Sequence, residues 1–313
     1  MHHVFLIDPL ENLNIKKDSS LMMAATFKEQ GIKVSLLFEK DFFLLNKNLP
    51  EYNVYQFDAE FEDHSFYLKK FITTTDSKLL MTKDVTIHLR LDPPFDTRYL
   101  RILWLLDQLH IRGVTITNNA KGVLTHNEKL FAYEHHSSME TYVGSSLSGF
   151  KSFVKNLDAH DLIIKPLDLF QGIGVEKVSK YDVQLEEKFV AKVVEHKGAI
   201  VVQAFNPKVT EGEIRSLYFD GVELGSILKV PKKGEFLANI AQGASYSATE
   251  LSPTVQEACE EISLLLKRYG VRFVAFDILG DSISEVNITC PGLLVEVSSA
   301  YKKNLALEIL KHF

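Results

Sequence analysis

The start of the chain has a short β-branched-rich run at residues 3–7, an apolar-periodic segment at 21–30 and a strand pattern at 33–38. These patterns predict a strand, a helix and a second strand. Asp18 and the two serines after it precede the helical segment, and such residues are typical of a helix N-terminus. Gly31 follows the segment and suits a helix C-terminus, where a left-handed residue is common. A strand–helix–strand unit predicts the α/β fold class with some parallel sheet.

Further apolar runs continue this pattern up to a polar stretch. They predict a strand, a helix and a short strand at residues 86–91, 99–110 and 113–117. Residues 118–128 are polar, contain Gly122 and indicate an exit from the first domain. We therefore expect an N-terminal α/β domain over residues 1–120.

The second half of the chain is dominated by strand patterns. One long helix is expected at 252–269, among strands at residues 161–165, 175–178, 199–205, 214–219, 223–230, 273–279 and 283–288. Asp220-Gly221 is the strongest hairpin signal, because both residue types tolerate positive φ in a tight turn. We expect the strands on either side of this turn to pair.

Composition narrows the class of protein. The chain has 313 residues, which suggests two domains or three small ones, and its 46% hydrophobic and 24% charged residues are globular values. A net charge of −6 and the lack of a long basic run disfavour nucleic acid as a partner. No apolar stretch approaches the length of a membrane-spanning helix, so we expect no membrane partner.

Cysteine and histidine usage favours a reducing compartment. Cys259 and Cys290 are far apart and fit neither a disulfide framework nor a zinc pattern, so we expect a cytoplasmic protein. The apolar run at residues 4–7 is too short for a signal peptide. Adjacent histidines point in different directions on a helix or strand, so we interpret as surface residues the pairs His2-His3 and His135-His136.

Familiar nucleotide-binding motifs are absent from the sequence. The P-loop pattern does not occur, and Gly172-Ile173-Gly174 lacks the third glycine and the setting of a dinucleotide site. A Gly-x-Ser-x-Gly elbow is also absent, which leaves a serine hydrolase little support.

Two carboxylates and an amide fall on two successive predicted strands. Asp277 lies on the first strand, and Glu285 and Asn287 lie two residues apart on the second, so both face one side. Hard oxygen ligands of this kind suit Mg²⁺, which usually binds one or two carboxylates together with nucleotide phosphates. The alternative is a solvated ladder of polar residues. The apolar neighbours of Asp277 count against it, because an unpaired carboxylate in a core strand is costly.

Two lysines lie near the ends of predicted elements. Lys165 ends an apolar strand, at a sheet edge where ligands commonly bind, and Lys129 lies within a short polar motif at residues 127–131. Taken alone, each is more simply interpreted as a solvated surface charge.

Taken together, these segments resemble the bacterial glutathione synthetases over nearly the whole chain. The family's opening is similar to Asp8-Pro9 and residues 14–20, and its most distinctive motif is similar to residues 90–97, Arg-Leu-Asp-Pro-Pro-Phe-Asp-Thr. Further similar segments follow in the same order at residues 127–131, 164–168, 203–207, 215, 220–221, 274–280 and 285–287. So many ordered similarities make chance an improbable explanation.

The resemblance implies an ATP-grasp fold with an N-terminal α/β domain, a central lid and a C-terminal domain, at residues 1–120, 121–200 and 201–313. It also implies a reaction in which ATP activates γ-glutamylcysteine as an acyl phosphate and the amine of glycine displaces phosphate. Mg²⁺ is the expected metal, with Mn²⁺ as the alternative. The expected partners are these small molecules and further copies of the chain.

The resemblance assigns roles to particular residues. It implies ATP binding by Lys129, Lys165, Gly172, Gln203, Ala204, Phe205, Asn206 and Glu213. It implies metal binding by Asp277, Glu285 and Asn287, and catalytic roles for Arg215, Lys229 and Asn239. It implies substrate binding by Lys17, Asp18, Ser19, Arg90 and Asp92.

The chain departs from the family pattern in its loops. Leu169, Phe170 and Gln171 replace most of a glycine-rich loop, and a Cβ there hinders close approach to phosphate. Leu237 stands where relatives typically carry an arginine, and Lys229 where arginine is common, which loses the bidentate fork. Two alternatives to glutathione synthesis therefore stay open: a ligase with a different carboxylate donor or amine acceptor, and a nucleotide-binding protein that has lost catalysis. Retention of both lysines and the acidic trio argues against the second.

Overall fold

The computed structural model describes residues 1–133, 135, 137–169, 172–235, 238–240 and 243–313. Phe170, Gln171 and Leu237, where the chain departs from the family pattern, lie outside these residues, as does His136. Within the described ranges, none of the helices combines the length and apolar character needed to cross a bilayer.

The first sheet follows from the apolar runs of the N-terminal third. Within the described residues it contains β1 (His2–Ile7), β2 (Lys33–Phe38), β3 (Glu51–Phe61), β4 (Leu68–Leu80), β5 (Val85–Arg90) and β6 (Thr115–Thr117), in the order β4-β3-β2-β1-β5-β6. Strands β2, β1, β5 and β6 run parallel, and β3 and β4 form an antiparallel extension. Its helices are α1 (Ser19–Glu29), α2 (Thr97–Ile111) and α3 (Ala120–Thr125).

Strand β1 is apolar at consecutive positions because both of its faces are buried. Val4 and Leu6 belong to the core that includes residues of α2, whereas Phe5 and Ile7 belong to the core that includes residues of α1. Successive side chains of a strand point to opposite faces, so a run without polar positions marks a central strand.

Capping side chains fix the start of two helices. Asp18 accepts a hydrogen bond from the N–H of Leu21 at 2.8 Å and begins α1, and Asp96 accepts one from the N–H of Tyr99 at 3.0 Å and begins α2. Such a cap stabilises a helix by about 1 kcal/mol. The same bond fixes Asp18 at the edge of the first sheet.

The second sheet forms a small layer with its own core. After α4 (Glu128–Tyr133), the described residues form the antiparallel strands β7 (Thr141–Gly144), β8 (Asp161–Pro166), β9 (Glu176–Ser179) and β10 (Ile200–Ala204), in the order β7-β10-β8-β9. The helices α5 (Leu147–Asn156) and α6 (Leu185–Glu195) cover it, and Phe150 stacks on Phe189 at 4.1 Å between ring centroids. All buried residues of this core lie between Phe150 and Val202.

The third sheet is antiparallel and carries most of the predicted chemistry. In the described residues it contains β11 (Glu213–Phe219), β12 (Val222–Val230), β13 (Ser245–Thr249), β14 (Phe273–Leu279) and β15 (Ser282–Asn287), in the order β13-β12-β11-β14-β15. The last helices are α7 (Pro253–Arg268), α8 (Leu294–Tyr301) and α9 (Leu305–Leu310). Asp220 and Gly221 have φ of 55° and 88°, which is the turn that the sequence predicted between β11 and β12.

Asn118 joins the first sheet to the third. Its Nδ2 donates to the carbonyls of Phe273 and Ile288 at 2.7 and 2.9 Å, and its Oδ1 accepts from the N–H groups of Arg272 and Phe273 at 2.9 and 2.8 Å. One hydrophobic core also contains residues of both sheets. The first and third sheets are therefore packed together, whereas the second has a separate core. The domain bounds 1–120, 121–200 and 201–313 stay a prediction.

Each strand and helix predicted from the sequence is present, with bounds within two residues of those expected. The sequence analysis did not predict β3, β4, β7, β13, α3, α4, α5, α6, α8 and α9.

The interpretation of His3 as a surface residue is wrong. The residue is 2% exposed, and its Nδ1 lies 2.9 Å from Nε2 of His88. Burial lowers the pKa of His3 to about 4, because the charged imidazolium loses its hydration.

Candidate active site

A cavity of about 650 Å³ is lined by residues from all three sheets and their loops. Its wall includes every residue for which the family resemblance implies a role, namely Lys17, Asp18, Ser19, Arg90, Asp92, Lys129, Lys165, Gly172, Gln203, Ala204, Phe205, Asn206, Glu213, Arg215, Lys229, Asn239, Asp277, Glu285 and Asn287. These positions are spread over 270 residues of sequence, so only the folded chain brings them together.

Asp277 is the centre of a buried ionic network on the third sheet. Nε and Nη2 of Arg215 donate to its two carboxylate oxygens at 2.9 and 2.7 Å, and Nζ of Lys229 donates to Oδ1 at 3.1 Å. Lys229 also donates to Oε2 of Glu213 at 2.6 Å, and Nδ2 of Asn287 donates to Oδ2 of Asp277 at 3.1 Å. Strand register creates this cluster, because β11 lies between β12 and β14 and pairs Glu213 with Lys229 and Arg215 with Asp277.

Burial and opposite charge act against each other in this network. Burial alone raises the pKa of Asp277, but the adjacent Arg215 and Lys229 hold it below its usual range. Burial lowers the pKa of Lys229, yet Asp277 and Glu213 together keep it above its usual range. Burial raises the pKa of Glu213 more than Lys229 lowers it. The network thus keeps two cations charged in the wall of the cavity, where an unpaired charge is costly.

Lys129 is held by three acceptors. Its Nζ lies 3.1 Å from Oε1 of Glu285 and donates to the backbone carbonyls of Leu169 at 2.9 Å and Leu167 at 3.4 Å. The packing of α4 against β15 brings Lys129 to Glu285. Its side chain is only 6% exposed, so the interpretation of Lys129 as a solvated surface charge is wrong.

Lys165 differs from Lys129 because its ammonium group forms neither a hydrogen bond nor an ion pair with any described residue. Burial lowers the pKa of Lys165, and the positive charge of Lys129 lowers it further, although the carboxylates of Glu285, Glu213 and Asp277 oppose this. An unpaired ammonium group in a cavity wall gains most from an anion that also accepts hydrogen bonds, as phosphate does.

Strand pairing brings the three predicted metal ligands together. Strands β14 and β15 place Asp277 opposite Glu285, and Ala275 opposite Asn287. The amide nitrogen of Asn287 donates to the carbonyl of Ala275 at 3.2 Å as well as to Asp277, so its oxygen is the atom that can bind a cation. The carboxylate of Asp277 already accepts four hydrogen bonds, so Glu285 and Asn287 fit a divalent cation better than Asp277 does. Among the described residues, no three His, Cys, Asp or Glu side chains are grouped as a metal site.

The segment at 203–206 follows β10 along the cavity wall. Nε2 of Gln203 donates to Oγ1 of Thr141 at 2.8 Å, and the N–H of Phe205 donates to the carbonyl of Asp161 at 2.8 Å. A ligand can therefore use the N–H of Phe205 only by breaking that bond. Gly172 also lines the cavity and has a φ of 78°, which glycine adopts without strain.

Arg90 is anchored between the first sheet and the loop after β15. Its Nε donates to Oγ of Ser20 at 2.9 Å, and its Nη2 donates to the carbonyl of Pro291 at 2.8 Å. The carboxyl groups of Asp18 and Asp92, also in the cavity wall, lie close enough to Arg90 to be attracted by its positive charge. Burial raises the pKa of Asp18 to about 6 and also raises that of Asp92, and in both cases it outweighs the attraction of Arg90.

The sequence model described as "Prokaryotic glutathione synthetase, N-terminal domain" matches residues 1–123, and that described as "Prokaryotic glutathione synthetase, ATP-grasp domain" matches residues 128–302. The chain belongs to the prokaryotic glutathione synthetase family. The glutathione synthetase of Shewanella oneidensis is 31% identical over 302 residues, which cover 95% of this chain and 92% of the relative. That of Prochlorococcus marinus is 27% identical over 313 residues, which cover 99% of this chain and 98% of the relative.

Solved structures show the same fold at low sequence identity. D-cycloserine synthetase DcsG superposes with a TM-score of 0.68 at 14% identity, and 99% of each chain is covered. The ATP-grasp ligase PsnB, complexed with its minimal precursor, superposes with a TM-score of 0.61 at 11% identity, and 99% of this chain and 98% of PsnB are covered. The predicted ATP-grasp fold is confirmed. As a glutathione synthetase family member, the chain is an ATP-dependent ligase that forms C–N bonds between small molecules with the help of a divalent metal.

Two carboxylates near the cavity were given no role by the sequence analysis. Oε1 of Glu128 accepts hydrogen bonds from the N–H groups of Ile288 and Thr289 at 2.7 and 2.9 Å and from Oγ1 of Thr289 at 2.8 Å, so it fixes the loop after β15. The sequence could have indicated a role for Glu128, because this residue lies next to Lys129 in the family motif at residues 127–131. Glu296 lies in α8 and also lines the cavity. The sequence could have indicated a role for Glu296 too, because it is the single charged residue in the otherwise apolar segment 293–297.

Proposed function

We propose that this chain is a glutathione synthetase that joins γ-glutamylcysteine to glycine, with an acyl phosphate as intermediate and with release of ADP and phosphate. The observation that supports this most is the gathering of Lys129, Lys165, Arg215 and Lys229 around one cavity, next to Glu285. Phosphoryl transfer depends mainly on positioning and on neutralising phosphate charge, and this set of cations suits both.

Lys165 and Lys129 are proposed to bind the phosphates of ATP. Lys165 suits this role because its ammonium group lies in the cavity wall and has no partner among the described residues. Gly172, Glu213 and the segment 203–206 are proposed to hold the rest of the nucleotide.

Arg215, Lys229 and Asn239 are proposed to stabilise charge that develops on the transferred phosphoryl group. Arg215 and Lys229 are positioned for it by Asp277, which keeps both in charged form.

Mg²⁺ is the proposed metal, with Mn²⁺ as the alternative. The carboxylate of Glu285 and the amide oxygen of Asn287 are the groups that would hold it, and Asp277 joins them only where its bonds to Arg215 or Lys229 open. A divalent cation at this position supplies charge neutralisation to the phosphate oxygens. Lys17, Asp18, Ser19, Arg90 and Asp92 are proposed to bind the carboxylate donor.

A ligase with a different donor or acceptor is the second candidate. The observation that favours it is Leu169, which lines the cavity and whose carbonyl accepts from Lys129, in a loop that relatives keep rich in glycine. An apolar side chain there changes the shape of the space available to a substrate. The third reading, a nucleotide-binding protein without catalysis, has no such observation in its favour.

We also propose that the protein acts in the cytoplasm as a homo-oligomer, without nucleic-acid or membrane partners. The two free cysteines support a cytoplasmic location. The net charge of −6 supports the absence of a nucleic-acid partner. Exposed apolar side chains on one helix, including Trp104 and Ile111 of α2, support self-association. Light scattering coupled to gel filtration tests the oligomeric state.

A coupled assay of ADP release separates the candidate functions. With ATP, Mg²⁺ and γ-glutamylcysteine, we expect release that depends on glycine. Release that depends on another amine or another carboxylate supports the second candidate. Nucleotide binding without ADP release for any donor and acceptor pair would remove the proposed function.

A further inference from the structure

Glu296 is buried in the cavity wall with one oxygen unsatisfied. The residue is 1% exposed, and no described residue donates a hydrogen bond to its Oε2. Other buried side-chain atoms in the described part also lack a partner, in Tyr99, Thr117, Tyr133, His196, Tyr218 and Ser263. Among these residues, Glu296 alone lines the cavity, so it alone can obtain a partner from a molecule bound there.

The protein itself does not neutralise this carboxylate by direct contact. Lys17 and Arg215 lie close enough to attract its charge, but Arg215 pairs with Asp277, and neither Arg215 nor Lys17 forms an ion pair with Glu296. Burial raises the pKa of Glu296 more than these cations lower it. An unpaired buried carboxylate is costly, and such groups in a cleft are common where a ligand supplies the missing partner.

The neighbourhood of Glu296 favours an ammonium group over a metal ion. Asp18 is the second carboxylate whose charge acts on Glu296, and its Oδ1 already accepts the N–H of Leu21. Oε2 of Glu296 lacks a donor, and an ammonium group brings three N–H donors together with the positive charge.

The proposed reaction involves two amino groups, one on the acceptor and one on the donor, and they require different protonation states. The acceptor amine must be neutral to attack an acyl phosphate, whereas the amino group of the donor's γ-glutamyl head does not react. A carboxylate partner stabilises the charged form of an amine. Glu296 therefore suits the donor's amine and would hinder the acceptor's.

We propose that Glu296 binds the α-ammonium group of the carboxylate donor and that this contact selects donors with an amino-acid head. The proposal rests on the proposed function, because that function supplies the donor. Loss of one charge-assisted hydrogen bond weakens recognition by roughly 10- to 100-fold.

The test uses two donors that differ only in the amino group. N-glutarylcysteine lacks the α-ammonium group of γ-glutamylcysteine and keeps its reacting carboxylate. For the unmodified protein, we expect kcat/KM with N-glutarylcysteine to be roughly 10- to 100-fold lower. In Glu296→Gln, the difference in kcat/KM between γ-glutamylcysteine and N-glutarylcysteine should shrink to a few-fold. The KM values for ATP and glycine should stay unchanged. Glu296→Asp, which keeps the charge and withdraws it by one methylene group, should give an intermediate ratio.

Glu308→Gln is the matched control, because Glu308 lies in α9, outside the cavity wall, and pairs with Lys303 and Lys311. It should retain the donor preference of the unmodified protein. Equal kcat/KM for the two donors in the unmodified protein overturns the inference, whether or not the variants fold. An undiminished ratio in folded Glu296→Gln, or a rise in the KM for glycine instead of the donor, also overturns it. If the unmodified protein releases no ADP with γ-glutamylcysteine and glycine, the proposed function fails and the inference falls with it.

Discussion

Lys165 and Lys129 line the same cavity, yet their surroundings predict different consequences when each is replaced by alanine. In Lys165→Ala, the protein loses a half-buried lysine whose ammonium group has no partner among the described residues. Removal of this group breaks no hydrogen bond or ion pair to the described residues, so we expect the free energy of unfolding to stay within about 0.5 kcal/mol.

Lys129→Ala should destabilise the fold, because it leaves three acceptors without their donor. Breaking a fully buried ion pair costs about 3–5 kcal/mol. The Glu285 side chain is 21% exposed and can be partly hydrated, so we expect a loss of about 2–3 kcal/mol. Nucleotide affinity should respond similarly in both variants, since each loses one charge-assisted contact with phosphate, worth about 1.5–3 kcal/mol or roughly 10- to 100-fold in Kd.

Urea unfolding measures the stability of both variants, and isothermal titration with a non-hydrolysable ATP analogue measures affinity. Lys121→Ala is the control, because Lys121 is exposed on α3 outside the cavity, and it should change neither quantity. If Lys165→Ala loses as much unfolding free energy as Lys129→Ala, the argument from missing partners is refuted. Unchanged affinity in either variant removes that lysine from the phosphate site.

The remaining predictions concern the metal, the departing loop and pH. Glu285→Gln and Asn287→Asp should each shift the Mg²⁺ concentration that supports half-maximal ADP release, and an unchanged titration in both would remove the metal assignment. Replacing Leu169-Phe170-Gln171 by Gly-Met-Gly should alter turnover or acceptor preference with little change in ATP affinity; loss of ATP binding with unaltered preference would instead assign the loop to the phosphate site. The folded-state pKa of His3 lies near 4, below the unfolded value of 6.5, so the unfolded chain binds protons first and stability should fall by about 3 kcal/mol between pH 6.5 and 4. Urea unfolding across this range should give a shallower loss for His3→Gln, and an equal slope would contradict the assignment.

Local chemistry in the sequence was sufficient to predict many elements. The turn at Asp220-Gly221 needed only residue types that accept positive φ, and the start of α1 needed only a capping residue such as Asp18. The opposition of Asp277 and Glu285 followed from two strands joined by a tight turn. In each case, the information lies within a few residues of the feature.

Other features depend on contacts that sequence patterns do not encode. The long hairpin of β3 and β4 is mostly exposed on its outer strand and has no glycine at its turn, so neither apolar alternation nor turn chemistry marks it. The burial of Lys129 depends on the packing of α4 against β15, which is more than 140 residues away along the chain. His3 was misjudged because its burial depends on the strands and aromatic rings that surround β1.

The network around Asp277 links two assignments that the sequence treated separately. The family resemblance implies a metal role for Asp277 and a catalytic role for Arg215, for which we propose charge stabilisation at the phosphoryl group. In this structure two hydrogen bonds join these side chains. A phosphate that binds Nη1 of Arg215 leaves those bonds in place, whereas one that binds Nε must compete with them and would release a carboxylate oxygen of Asp277 towards Glu285 and Asn287. Binding of phosphate at Nε of Arg215 and binding of metal by Asp277 would therefore favour each other, because both would require this pair to open. Lys165 needs no such exchange, so an incoming phosphate can engage it without breaking a hydrogen bond or ion pair to any described residue.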